Sequence, residues 1–219
     1  DYLPLAMEML ARSGDDMGRA YRWLKGLDRT CYMFFVLRNS DRSSRDARRE
    51  VFLKALNDLS LDRDPLREGG PLDLIPEERR RMRESLNRPI ETPFQRRALL
   101  QRLEVTLTPG NVHPKLDDGT CEHVLPIRTW RTKWNKTFDD RSHREHVNLL
   151  GNLVLLNRRH NELAGNKSFP EKKRILFKSN RQRFFETAKD LRKYEDWTPE
   201  VILSRTRGMA GTLAQAWEL

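Results

Sequence analysis

Apolar side chains recur at helical spacing through the first 105 residues, and this rhythm limits the fold more than any other feature. Leu3, Leu5, Ala6, Met9 and Leu10 set it, followed by Tyr21, Leu24 and Leu27, by Tyr32, Phe35 and Val36, and by Phe52, Ala55, Leu56 and Leu59. Helices are therefore predicted through residue 60. Residues 61–75 gather Asp, Pro and Gly-Gly and read as a loop. A charged, exposed helix starts near Pro76, with Glu77 and Glu78 in its first turn and Arg79 to Arg83 after them. Another covers about 92–105, carrying Phe94, Leu99, Leu100 and Leu103. Thr108-Pro109-Gly110 then breaks the rhythm and marks a boundary between a helical part, 1–108, and a second domain, 109–219.

Past that break the pattern changes. Cys121 to Pro126 is a short apolar piece that reads as a strand running into a turn, and Asn152 to Leu156 is a second short apolar run. Asn157 can cap a helix through about Leu163. Pro170-Glu171 opens another helix, and residues 180–193 continue as helix. Thr198-Pro199-Glu200 starts the C-terminal helix, with Thr as cap and Pro at the first position. Residues 127–146 show too little periodicity to assign. The expectation is a mainly α chain with one small strand–loop–strand–helix element.

Charge points to a partner. The 219 residues hold 42 Lys and Arg against 32 Asp and Glu, a net +10. Such an excess favours a polyanion, because each neutralised phosphate releases counterions. No apolar run approaches the ~18 residues of a membrane span, and the start lacks a basic segment followed by an apolar core. Cys31 and Cys121 form no CxxC pair, so no zinc knuckle is encoded and a reducing cytoplasm is the expected setting. The sequence opens mid-pattern and without Met, which leads to the expectation of a fragment whose sensing or regulatory part lies elsewhere.

Three polar pieces punctuate the second half: Glu122-His123 before Pro126, then Gly151-Asn152-Leu153, then His160-Asn161 with Asn166-Lys167 behind. They sit on strand, strand and helix in turn. Together with Asn161 to Lys173 (Asn-Glu-Leu-Ala-Gly-Asn-Lys-Ser-Phe-Pro-Glu-Lys-Lys), this order resembles the ββα-metal, or HNH, nuclease motif. The nearer likeness is to the C-terminal nuclease domain of GmrSD-type modification-dependent restriction enzymes and the related phosphorothioate-sensing SspE proteins. The close match spans about 50 residues.

That resemblance implies roles by position. His123 matches the general base that deprotonates the attacking water, and imidazole suits this because its ordinary pKa lies near working pH. Glu122 matches a metal ligand. Asn152 matches the middle Asn, whose side chain holds the loop carrying the base. Asn161 matches the third position, a second metal ligand. Many HNH sites carry His there, so Asn166 and His160 stay open as alternatives. Oxygen donors suit Mg²⁺ or Mn²⁺. Neighbours on a strand point to opposite faces, which sets Glu122 against His123 unless the strand bends or the metal contact comes around its end.

The remaining features are weaker. Lys167, Lys172, Lys173, Arg174, Lys178, Arg181 and Arg183 form the densest basic stretch and are expected to track a DNA backbone. Trp130 and Trp134, four apart among cations, read as a packed face before a base-stacking platform. His143 and His146 are read as DNA contacts or part of a solvated loop, not as a metal site. The expected function is a metal-dependent DNA endonuclease of low sequence specificity. It would nick one strand, because it has one metal and one base, in a bacterial restriction or anti-phage system under a nucleotide-dependent domain. Two alternatives stand beside it. One is a non-catalytic basic nucleic-acid-binding or subunit-docking module on a decayed HNH fold; the other is a helical scaffold that docks a partner through residues 1–105.

Overall fold

The computed structural model describes residues 2–36, 45–110, 116–117, 119–129, 133–178 and 185–219. Among these are ten α-helices and two strands. The first helices follow the predicted rhythm: α1 (Leu3–Ser13), α2 (Met17–Val36), α3 (Arg45–Ser60), α4 (Pro76–Ser85) and α5 (Pro93–Leu107). Then come β1 (Gly119–His123), α6 (Asp140–His146), β2 (Leu153–Asn157), α7 (Arg158–Ala164), α8 (Phe169–Leu176), α9 (Glu186–Lys189) and α10 (Pro199–Ala216).

Two compact units divide the chain: residues 1–85 with 217–219, and residues 86–216. The contacts therefore part at residue 85, whereas the sequence suggested 108. The reason is α5, whose Leu99, Leu100 and Leu103 are buried and which packs on β1, β2, α9 and α10. A helix flanked by breakers looks separate in sequence, but its apolar face belongs to whichever sheet it covers.

The first unit is helical. Leu5, Met9, Leu27, Met33, Phe52, Ala55 and Leu59 form much of its core. Trp23 is fixed by an indole N–H donated to Asp64 Oδ1 at 3.0 Å. Tyr32 stacks on Trp217 with centroids 3.9 Å apart. Of the α1 stripe, Leu3 and Leu10 are exposed.

The second unit is built around an antiparallel β1–β2 pair, with Gly119 opposite Asn157 and His123 opposite Leu153. Leu153 to Leu156 are all buried, so both faces of β2 are covered. Asn157 caps α7 by accepting the His160 amide at 2.9 Å, and a Ser168–Glu171 capping box starts α8. The 127–146 segment, unassigned from sequence, contains a 3₁₀ turn (Lys133–Lys136) and the seven-residue α6, both too short to show a period. Trp134 is buried and donates its indole N–H to Lys167 O at 3.1 Å, so it packs; Trp130 lies outside the described residues.

Backbone contact fixes the turn before β2. A Cβ on Gly151 would lie 2.2 Å from Ile202 O and 2.5 Å from Thr206 N, both backbone atoms of α10. Only glycine lets this turn press against the helix. Arg205, from α10, donates to the carbonyls of Gly151 and Leu153 and to Thr187 O, and its Nε pairs with Asp190 at 3.1 Å. This buried guanidinium ties the start of β2 to α9 and α10.

Candidate active site

The site lies at the end of β1, where alternation along the strand divides two neighbours. Glu122 turns toward α8 and His123 toward α5. Lys172 of α8 donates to Glu122 Oε1 at 2.6 Å and to His123 O at 2.8 Å. This lysine is 2% exposed. It was expected among the cations on a DNA backbone, but its ammonium is inside the protein, held by a carboxylate and a carbonyl. Burial pushes the Glu122 carboxyl up and the Lys172 ammonium down, each opposed by the other's charge.

His123 meets a different set. Its Nε2 lies 3.0 Å from Arg96 Nη1 and 3.1 Å from Asn148 Oδ1. Burial first, with the positive charges of Arg96, Lys172 and His143 around it, drives the imidazole pKa down to about 4, against the hydrogen bond to Asn148. The ring is therefore neutral at physiological pH and has a lone pair to offer.

Asn152 is fully buried and uses its whole amide. Oδ1 accepts from Leu125 N at 2.7 Å and Trp197 Nε1 at 3.0 Å, and Nδ2 donates to Leu125 O at 2.9 Å and Val147 O at 2.8 Å. It clamps the turn that follows His123 and has no group left to touch a substrate. His143, on α6, donates to Pro126 O at 2.8 Å and pins the same turn. His146 is buried, bonded to Ser142 O at 2.6 Å and edge-on to Phe138. Neither histidine stands in a solvated loop, because α6 packs both inward.

The third position divides. Asn161 donates Nδ2 to Thr120 Oγ1 at 3.0 Å and to Cys121 O at 3.4 Å, so it sits on β1 one turn of the pleat before Glu122. His160 is buried in α7. Asn166 is exposed just past the α7 end at Gly165, whose φ of 44° suits glycine. A cavity of about 340 Å³ is lined by Glu122, His123, Pro126, Ile127, Arg128, Gly165 and Asn166. Glu122, His123 and Asn166 thus share one space, while Asn161 and His160 stand outside its lining.

Among the described residues no three His, Cys, Asp or Glu side chains group closely enough to hold a metal. The oxygen donors that line the cavity are one Glu122 carboxylate, with Oε1 facing Lys172, and the Asn166 amide. That set fits a cation which keeps several waters, as Mg²⁺ does, and does not fit a dedicated protein cage.

Of the basic stretch, Lys167, Arg174 and Lys178 are exposed. Lys173 is half-buried, with Nζ donated to Tyr194 O and Arg192 O. Arg181 and Arg183 lie outside the described residues. Sequence reasoning did not single out Arg96 or Asn148 at the base, nor Arg128 as a cation on the cavity wall. Arg96 stands 27 residues before its partner, and no local signal reveals such a contact.

A neutral buried imidazole and a carboxylate border one cavity on a basic chain. Residues 75–212 match the model of the GmrSD restriction endonuclease C-terminal domain family, over more than half of the chain, and the chain belongs to that family. No curated protein and no solved structure matches it. It is thus a nuclease domain of restriction-endonuclease type, with DNA as its substrate class. Among the described residues no helix is long and apolar enough to cross a membrane.

Proposed function

We propose that this domain is a metal-dependent endonuclease of the ββα-metal type, which nicks DNA at a site formed by β1, β2 and α7. One observation carries the reading: Glu122 and His123, adjacent yet held by different partners, open onto the same cavity with Asn166. Neutral His123 takes the proton of the attacking water. Glu122, backed by Lys172, would hold Mg²⁺ or Mn²⁺ with Asn166 as a second oxygen ligand. When bound, the cation supplies positive charge to the scissile phosphate and the leaving oxygen. Arg128, Lys167, Arg174 and Lys178 hold the flanking phosphates, and Asn152 and His143 keep the turn after His123 rigid. One base and one cation cut one strand per encounter. A cytoplasmic role in restriction or anti-phage defence, under control of a nucleotide-dependent domain elsewhere in a longer protein, completes the reading.

Relaxation of supercoiled plasmid tests it. Wild type with Mg²⁺ or Mn²⁺ is expected to produce open circles, EDTA to stop this, and His123→Ala to slow it by about 10²–10⁴-fold. Equal nicking by His123→Ala contradicts the assignment. The ammonium already seated on Glu122 favours a second reading, a basic DNA-binding module without catalysis. That reading predicts salt-sensitive binding, indifferent to EDTA, and no open circles under any divalent cation.

A further inference from the structure

The two partners of His123 ask opposite things of one nitrogen. A guanidinium only donates, so toward Arg96 Nη1, at 3.0 Å, Nε2 has to present a lone pair. A carboxamide oxygen only accepts, so toward Asn148 Oδ1, at 3.1 Å, Nε2 has to carry the proton. Turning the amide does not relieve this. Oδ1 also accepts from Arg96 Nη1 at 2.6 Å, and an NH₂ in its place would face that donor. Each contact therefore selects a different tautomer of the ring.

The choice decides the chemistry. With the proton on Nδ1, that nitrogen is a donor and takes nothing from a water. With the proton on Nε2, Nδ1 holds the lone pair. Among the described residues Nδ1 makes no hydrogen bond, and the residue borders the cavity. Both competing groups are anchored to the same stretch. Ile90 N donates to Asn148 O at 2.8 Å, and Arg96 Nη2 donates to Glu91 O at 2.9 Å.

We propose that Asn148 is a positioning residue for the base. Its Oδ1 takes the Nε2 proton and leaves the Nδ1 lone pair on the cavity, against Arg96, whose guanidinium favours the opposite tautomer. Oδ1 has two lone pairs, enough for both Nε2–H and Arg96 Nη1. In the reaction the water proton moves to Nδ1, the ring becomes an imidazolium, and Nε2–H stays on Asn148. The inference rests on His123 being the base.

The test is ¹⁵N NMR of histidine-labelled protein, which reports which ring nitrogen of His123 carries the proton, run beside plasmid cleavage. Asn148→Ala is expected to move the population toward Nδ1–H and to lower kcat about 10- to 100-fold with KM little changed. Asn148→Asp keeps an acceptor and is expected to restore both readings. Arg96→Met is expected to move the tautomer toward Nε2–H. An unchanged tautomer ratio in Asn148→Ala and Arg96→Met overturns the proposal. So does a folded Asn148→Asp that stays as impaired as Asn148→Ala. Absence of cleavage by wild type strikes the nuclease reading instead, and leaves the tautomer shifts to be judged separately.

Discussion

Two sides of one strand end solve the problem of a buried polar group differently. On the α8 side, Glu122 has a single dedicated cation, Lys172, at 2.6 Å. The pairing is unambiguous, since one group only donates and the other accepts. On the α5 side, His123 has two partners whose demands conflict. The first side therefore fixes a position, and the second leaves a proton free to be assigned. A site that must hold a ligand still and also move a proton has use for both kinds of surroundings.

Breaking the first side should have the largest effect on folding. Lys172→Met leaves a carboxylate buried without its cation and is expected to cost about 3–5 kcal/mol in urea denaturation. The double variant Glu122→Gln with Lys172→Met should regain much of that loss and still fail to cleave. If the double variant is no more stable than either single one, the pair is not the unit described here. Asn152→Ala should come next, at about 2–3 kcal/mol, because buried groups of Leu125 and Val147 lose their partner. Its denaturation midpoint measures this.

The second side should show itself in pH. The His123 pKa is about 4 in the folded chain and about 6.5 unfolded. Between those values the unfolded state binds more protons. Stability is therefore fully present above pH 6.5 and declines as pH falls toward 4. Unfolding free energies at pH 7 and pH 5 should differ by about 2 kcal/mol more in wild type than in His123→Gln. An equal difference removes the depressed pKa from the account. The smallest effect belongs to the surface: Lys167→Ala or Arg174→Ala should weaken DNA binding across sequences and reduce the salt slope by about 1.

What the sequence revealed and what it hid follow the range of the forces involved. The Asn157 cap, the Pro199 start and the two short strands are local, and their residues announce them. The likeness to a nuclease motif brought out Glu122, His123 and Asn152 because these stand at characteristic spacings. Lys172 was legible only as a charge. Its burial depends on Glu122, 50 residues away, and α8 reads the same whether its lysines face solvent or strand. Glu104 was read as part of an ordinary helix, yet it accepts the amides of Glu186 and Thr187 and so caps α9 from α5. With the buried face of Leu99, Leu100 and Leu103, that long-range contact joins α5 to the second unit, where it delivers Arg96.

The most direct test is an anomalous difference map from crystals of the protein soaked in Mn²⁺. The account predicts a peak in the cavity between Glu122 and Asn166, within reach of a water that also contacts His123 Nδ1. A peak elsewhere, or none with Lys172 still on Glu122 at saturating Mn²⁺, would contradict a metal-dependent site at the end of β1.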